Sequence, residues 1–411
     1  MDDDRPRVSG RRGFHWLNNV AESVGLFGGP LSTRDLIRSA QANTGLTDFG
    51  EWDIEEPLDI LISSYEAEAN LNPFGRMAAR WDLLRFLSNL LKFRQAEIAN
   101  PEILDEKVEQ PIFITGMPRS GTSFLHELLC EDPSNWAVRC WETIYPFAMT
   151  RRVTEDTDRR RRKVDRQLAS FTWIAPEIAS LHPITADSPQ ECTEITGHIF
   201  RSMRFDTTHY VPTYRHWLDS QSQLAPYRFH RRFLQHLQHG RKGGRWILKS
   251  PDHVFALDAL REVYPDARFV FMHRPPLAVM PSLARLTEAL RQPFTKRLDR
   301  RQIGTDLAER WRQGTAIIAS ATESLERSPE PPLHFQFQEF VRDPAGAVET
   351  LYAHFGLPLA DETTAAVRDL VARKPTGGNG LNHGRLEDYG LDPQSERRRF
   401  SHYLTFLNLE A

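Results

Sequence analysis

Short apolar runs that end in polar, glycine- or proline-bearing exits recur through the middle and later parts of the chain. Pro111-Ile112-Phe113-Ile114-Thr115 runs into Gly116 and the polar turn Met117 to Ser123. Phe124, Leu125, Leu128 and Leu129 follow at helical spacing. Strand, tight turn, helix is the opening of a parallel α/β unit. Trp246-Ile247-Leu248 exits through Lys249-Ser250-Pro251-Asp252 into a helical stretch from Val254 to Val263. Arg268-Phe269-Val270-Phe271-Met272 exits through His273-Arg274-Pro275-Pro276 into a helix from about Leu277 to Leu290. Leu333-His334-Phe335-Gln336-Phe337 reads as a fourth strand. Such runs are what buried parallel strands look like. Ligands of these sheets bind at the carboxyl ends of the strands. The exits of the first three strands therefore share one edge.

Outside these units the period changes. Residues 1–105 hold no convincing strand. Leu36-Ile37 and the stretch Ala78 to Phe93, with Trp81, Leu83, Leu84, Phe86, Leu87, Leu90 and Leu91, read as helices with apolar faces. Residues 134–244 are too long for a simple crossover and are expected to hold helices. Gly377-Gly378-Asn379-Gly380 reads as a mobile loop ahead of a last helix near Glu396 to Leu407. The expected architecture is α/β: a P-loop-like core with a mainly parallel sheet flanked by helices, plus helical additions. Its parts are a helical region at 1–105, which would cap the substrate, a core at 106–360 with an insertion at 134–244, and a C-terminal loop and helix at 361–411.

Composition narrows the function. The 52 Lys and Arg nearly balance the 55 Asp and Glu, so net charge gives no reason to expect nucleic acid as a partner. Charge is clustered, however: Arg151 to Arg166 carries eight basic and four acidic residues. A solvated helix face or attraction of an anion both account for it. Cys130, Cys140 and Cys192 form no C-x-x-C pair, which fits a reducing cytoplasm. Met1-Asp2-Asp3-Asp4-Arg5 leads into no apolar segment of the kind a signal peptide needs. No run is long enough to predict a transmembrane helix. Peripheral membrane contact stays open.

The turn after the first strand carries the chemistry. Gly116-x-x-x-x-Gly121 resembles the start of a Walker A loop, but Thr122 stands where its Lys would be and the cation sits at Arg119. Amides from Ser120 to Ser123 converge, and the following helix adds its positive end. Arg119 offers a planar fork of donors, Thr122 and Ser123 add hydroxyls, and Gly121 permits close approach. A nucleoside-triphosphate enzyme needs the loop Lys and an acid for Mg²⁺; Asp252 is a poor candidate for the latter. No His, Asp and Glu cluster has metal-ligand spacing, and His182, His198 and His209 read as scattered polar residues.

Gly116 to Ser123 resembles the 5′-phosphosulfate loop of the sulfotransferase superfamily, above all its tyrosylprotein branch, where arginine also replaces the lysine of cytosolic members. Phe269 to Arg274 followed by Ser282 resembles the family's 3′-phosphate motif, a strand, an arginine and a serine eight positions on. Lys249-Ser250-Pro251 is similar to the family's lysine-bearing strand exit. Phe337-Gln338-Glu339-Phe340-Val341-Arg342-Asp343-Pro344 looks like the segment before its C-terminal core helix, which here ends at Phe355-Gly356. The four matches run in the family's order over residues 110–358. Two features depart: the glycine-rich basic segment of cytosolic members is absent, and Pro281 sits directly before Ser282.

The resemblance implies transfer of a sulfuryl group from 3′-phosphoadenosine-5′-phosphosulfate (PAPS), leaving adenosine 3′,5′-bisphosphate (PAP), without a metal. It implies that Arg119, Ser120, Gly121, Thr122, Ser123, Arg274 and Ser282 bind the donor and that Lys249, with Arg119, stabilises charge on the leaving oxygen. The general base is open between Glu142, favoured by its position in Arg139-Cys140-Trp141-Glu142, His253, and the pair Glu191 and Glu194. The acceptor is open between a small molecule, a lipid and a glycan. An ATP-dependent phosphotransferase and a non-catalytic nucleotide-binding protein are the competing readings.

Overall fold

The structure, a computed structural model, describes residues 18, 29–147, 153–327, 330–374 and 384–408. The Gly377–Gly380 loop and the charged N-terminal residues lie outside the described residues. Five strands form one parallel sheet in the order β2-β3-β1-β4-β5. They are β1 (Ile112–Gly116), β2 (Asn135–Trp136), β3 (Arg245–Lys249), β4 (Arg268–His273) and β5 (Leu333–Gln336). Four of them are the apolar runs of the sequence. Strand β2 has two residues and pairs only with the start of β3, too short to leave a pattern.

Alternation along the strands divides the molecule into layers. Ile112, Ile114, Ile247, Val270 and Met272 pack on one face against Phe124, Leu125, Leu128 and Leu129 and against the C-terminal Val348, Leu351 and Tyr352. Phe113, Trp246, Leu248, Phe269 and Phe271 point to the other face. That face is covered by the N-terminal helices α1 (Thr33–Thr44), α2 (Glu55–Ala67) and α3 (Pro73–Ala99), together with helices from the region between β2 and β3. One continuous apolar core thus joins the N-terminal helices, the insertion and the sheet.

Helix α3 is longer than its apolar repeat predicts because its start is capped from afar. Asn72 accepts from the Gly75 amide at 2.7 Å and donates to Pro293 O at 2.9 Å. A Cβ on Gly75 would stand 2.0 Å from Phe294 O, so only glycine allows this approach. After β1 come α4 (Thr122–Leu129), α5 (Cys140–Ile144), α6 (Val153–Ile174) and α7 (Pro176–Leu181). After β4, α8 (Pro276–Arg291) runs unbroken through Pro281. The expected last helix is two helices, Pro393–Arg399 and Ser401–Phe406, separated at Phe400.

Among the described residues six histidines are buried; apart from His253, they are His126, His198, His209, His230 and His273. Burial pushes each of these five down to about 3 from an ordinary value of 6.5. Unfolded, each takes a proton below about pH 6.5, so between that value and about 3 the unfolded chain binds more protons. The stabilisation is complete above pH 6.5 and is lost as pH falls. Each imidazole removes about 1.4 kcal/mol per pH unit, and five together about 7 kcal/mol. Against a total of roughly 5–15 kcal/mol, acid unfolding followed by circular dichroism is expected at a midpoint between about pH 4 and 5.5. A fold that persists to pH 3 would contradict it.

Candidate active site

The exits of the three central strands meet where the sequence places them. Gly116 ends β1 with φ 129°, and a Cβ there would lie 2.2 Å from Met272 O on β4. The chain then turns left-handed at Arg119, φ 64°, and again at Gly121, φ 94°. A non-glycine residue held in that region costs roughly 1–3 kcal/mol unless its surroundings enforce it. Here Arg274 donates to the Arg119 carbonyl at 2.8 Å, and Ser120 Oγ closes the turn on Met117 O at 2.6 Å. Phe337 and Phe340 stand 3.2–3.3 Å from where a Gly121 side chain would begin. Helix α4 starts directly afterwards, so its first amides, near Thr122 and Ser123, lack intrahelical partners and face the turn's opening.

Arg119 and Arg274 stand together. Arg119 gives Nε–H to Ser282 Oγ at 2.9 Å and another N–H to Leu181 O at 3.0 Å. The Arg274 guanidinium lies 4.1 Å over the Phe337 ring. Burial, then the neighbouring Arg274, lowers the Arg119 pKa, and burial lowers that of Arg274. Among the described residues neither has a carboxylate partner. Two desolvated cations held by neutral groups alone form a site for an anion. Ser282 reaches it despite Pro281, because the helix is continuous there.

Lys249, the last residue of β3, is 2% exposed and enters from the other side. Its ammonium donates to Ser123 Oγ at 3.1 Å and to Glu191 Oε1 at 2.5 Å. Glu191 is held there by its backbone. The Cys192 amide donates to Lys249 O at 3.0 Å, and the Gln190 amide donates to Val138 O at 2.8 Å. Burial would raise the Glu191 pKa, but Lys249 and then His182 outweigh it, and the net shift is down. His182, which follows α7, is pushed down to about 4 by burial and by Lys249. It belongs to this cluster, and nothing in its sequence context marks it.

Two predicted catalytic residues are placed elsewhere. Glu142 is the third residue of α5 and 2% exposed. One oxygen accepts from the Arg139 amide at 2.8 Å and the other from Arg241 at 2.6 Å. Arg241 precedes β3, whereas Lys249 ends it, so the strand's length, about 13 Å, lies between them. His253 is fully buried, bonded through Nδ1 to the Tyr227 hydroxyl at 2.6 Å and packed edge-on against Phe113. Burial drives its pKa well down. Asp252 pairs with Arg310 at 3.0 Å, and Glu194 is shared by Arg204 and Arg85. Of the acidic candidates, the structure brings Glu191 to Lys249. Among the described residues no group of three His, Cys, Asp or Glu could hold a metal ion.

Comparison with known proteins agrees with this geometry. A family model described as Sulfotransferase family matches residues 111–361. Omega-hydroxy-beta-dihydromenaquinone-9 sulfotransferase Stf3 of Mycobacterium tuberculosis is 26% identical over 356 residues, 78% of this chain and 84% of that protein. The solved sulfotransferase STF1 from Mycobacterium tuberculosis is 30% identical, covering 91% of this chain and 99% of its own, with a TM-score of 0.79. Sulfotransferase STF9 from Mycobacterium avium is 27% identical over 92% of this chain and 97% of its own, with a TM-score of 0.83.

The contact between Gly116 and Met272 O leaves no room for a side chain. Gly116→Ala is expected to cost about 2–5 kcal/mol from strain and overpacking together, read as a lower denaturant midpoint, and to abolish anion binding at the turn. A variant of unchanged stability would show that β1 and β4 can separate without loss.

Proposed function

The chain belongs to the sulfotransferase family and is an enzyme that transfers a sulfuryl group, and we propose that its donor is PAPS, bound at the turn between β1 and α4. The observation that carries this reading is the pair Arg119 and Arg274, two desolvated guanidinium groups without a carboxylate partner among the described residues. The residues fit such a donor. The α4 amides, Thr122, Ser123 and Arg119 would hold its 5′-phosphosulfate end, and Arg274 with Ser282 its 3′-phosphate. The donor supplies a sulfuryl group on a phosphosulfate anhydride and leaves as PAP.

The side chains divide the remaining work. The acceptor oxygen forms its bond to sulfur as the bond from sulfur to the bridging oxygen breaks. Lys249 turns its ammonium to that bridging oxygen and neutralises the charge developing there. Glu191 loses its cationic partner in the same movement and becomes basic enough to take the acceptor's proton. The exchange keeps the buried charges balanced, since an anion at the turn replaces Glu191 as the partner of Lys249. Glu142 and His253 keep their structural partners throughout.

For the acceptor we propose a lipid-like alcohol. The Mycobacterium tuberculosis relative acts, by its name, on an omega-hydroxylated dihydromenaquinone. Helix α3 and the insertion that carries Glu191 are rich in aromatic side chains packed on one another, as an apolar acceptor requires. We assign the acceptor pocket to these additions.

Calorimetry is expected to show PAP binding at least tenfold tighter than ADP, because Arg274 and Ser282 have a 3′-phosphate to meet only in the former and a charge-assisted bond is worth roughly 1.5–3 kcal/mol. Equal affinities would reject the donor. Glu191→Gln is expected to lower kcat by roughly 10²–10⁴ while PAP affinity is kept, and Lys249→Ala to lower kcat by roughly 10²–10³. If Glu142→Gln loses activity and Glu191→Gln keeps it, the base is Glu142.

A further inference from the structure

Of the charge cluster at 151–166, Arg151 and Arg152 lie outside the described residues and the rest falls on helix α6, which holds none of the residues named above as the candidate site. Its described residues divide cleanly into two faces. The inner face holds Val164, fully buried, and Arg160, whose guanidinium lies 4.6 Å over the Trp141 ring and donates to Tyr145 O. Two more cations are engaged at the edges: Lys163 lies 4.2 Å over the Tyr145 ring, and Arg161 pairs with Asp187. The outer face is Arg159, Arg162, Arg166, Ser170 and Trp173, all exposed, at a spacing of three or four residues that keeps them on one stripe. Arg159, Arg162 and Arg166 have no carboxylate partner among the described residues. Trp173, at the end of the stripe, is 55% exposed.

The opposite side of α6 is tied to α3 through aromatic rings. Phe171 stacks on Phe294 at 5.7 Å, and Phe294 stacks on Phe74 at 5.7 Å. Phe74, Met77 and Trp81 share one face of α3, and Met77 and Trp81 are 39% and 44% exposed. The stack holds the inner side of α6 against the start of α3 through Phe294, while Trp173, on the opposite side of α6 from Phe171, stays on the outer stripe. Exposed arginines without a carboxylate partner among the described residues, on the polar face of a helix that ends in an exposed tryptophan, make a surface that suits a bilayer interface.

We propose that the outer face of α6, with Trp173 at its end, docks this enzyme on the surface of a bilayer containing anionic phospholipid. The three arginines meet lipid phosphates, and Trp173 enters the headgroup layer. Charge complementarity selects the occupant: a neutral bilayer offers the arginines nothing, and an acidic protein gives Trp173 no apolar layer to enter. The proposal goes beyond the donor assignment and does not depend on it. It does supply a route by which a lipid-like acceptor reaches a site that α7 borders.

The test is cosedimentation of the full chain with vesicles of phosphatidylcholine, and with vesicles in which about a third of the lipid is phosphatidylglycerol. The native chain is expected to bind the anionic vesicles far better, and to release them as salt rises from about 0.1 M to 0.5 M. Replacing Arg159, Arg162 and Arg166 together by Gln should weaken binding roughly 100-fold, and Trp173→Ser several-fold, with PAP affinity by calorimetry unchanged in both. Arg162→Gln alone serves if the triple variant does not fold. Binding that is equal on both vesicle types, absent from both, or undiminished in the arginine variants overturns the proposal. So does arginine-dependent binding to polyglutamate without binding to vesicles, which would mark the face as a protein-docking site. A chain that binds PAP but not vesicles refutes only the docking surface.

Discussion

The left-handed turn at Arg119 is the constraint on which the site depends. It closes only because β1 and β4 lie so near each other that Met272 O occupies the space of a Gly116 side chain. The same closeness lets Arg274, one residue beyond β4, hold the Arg119 carbonyl. The turn then points its amides and the Arg119 guanidinium to one side. The parallel sheet is thus a device for bringing strand exits together, and the strain at Arg119 is sustained by hydrogen bonds from two neighbouring elements. The cost is an accumulation of positive charge, with Arg119, Arg274 and Lys249 gathered at one sheet edge. Only Lys249 of the three has an acidic partner among the described residues, so the edge carries an excess of positive charge.

The insertion between β2 and β3 completes what the core lacks. It returns along the sheet edge, and two backbone hydrogen bonds, Cys192 to Lys249 and Gln190 to Val138, set Glu191 against Lys249. The following turn of chain commits Glu194 to Arg204 and Arg85, in a network that includes Asp82 of α3. Breaking a buried network of this kind by removing one member costs far more than an exposed pair would. The N-terminal helices and the insertion are therefore locked to each other by charge and to the sheet by the shared apolar core. Catalytic residues from distant parts of the chain can keep a fixed geometry on such a frame.

Electrostatics separates the two acidic candidates that the sequence could not. Glu142 spends one oxygen on the amide of its own helix start and the other on Arg241. Removing it from that setting would strand an arginine and an amide. Glu191 has one strong partner among the described residues, Lys249, which the proposed reaction draws away. A carboxylate whose partner can be drawn away is suited to proton transfer; one that caps a helix is suited to staying in place.

Much of the core was legible in the chain because its signals are local. Apolar runs of four to six residues with glycine or proline exits mark buried parallel strands, and Gly116, Arg119, Gly121, Arg274 and Ser282 sit at spacings that a strand, a turn and a helix enforce by themselves. The two-residue β2, the long-range cap that extends α3 and the break at Phe400 left no such trace. Neither did the choice among Glu142, His253 and Glu191, nor the membership of His182. Those depend on which side chains meet across 26 and more positions, and on what else competes for each polar atom. The sequence by itself determined the sheet, the strand-turn-helix at Gly116 to Leu129 and the family, since each rests on residues close in the chain. Only the tertiary structure decided which carboxylate stands beside Lys249, because that proximity arises from an insertion's return path along a sheet edge, and burial and ion pairing have no sequence period.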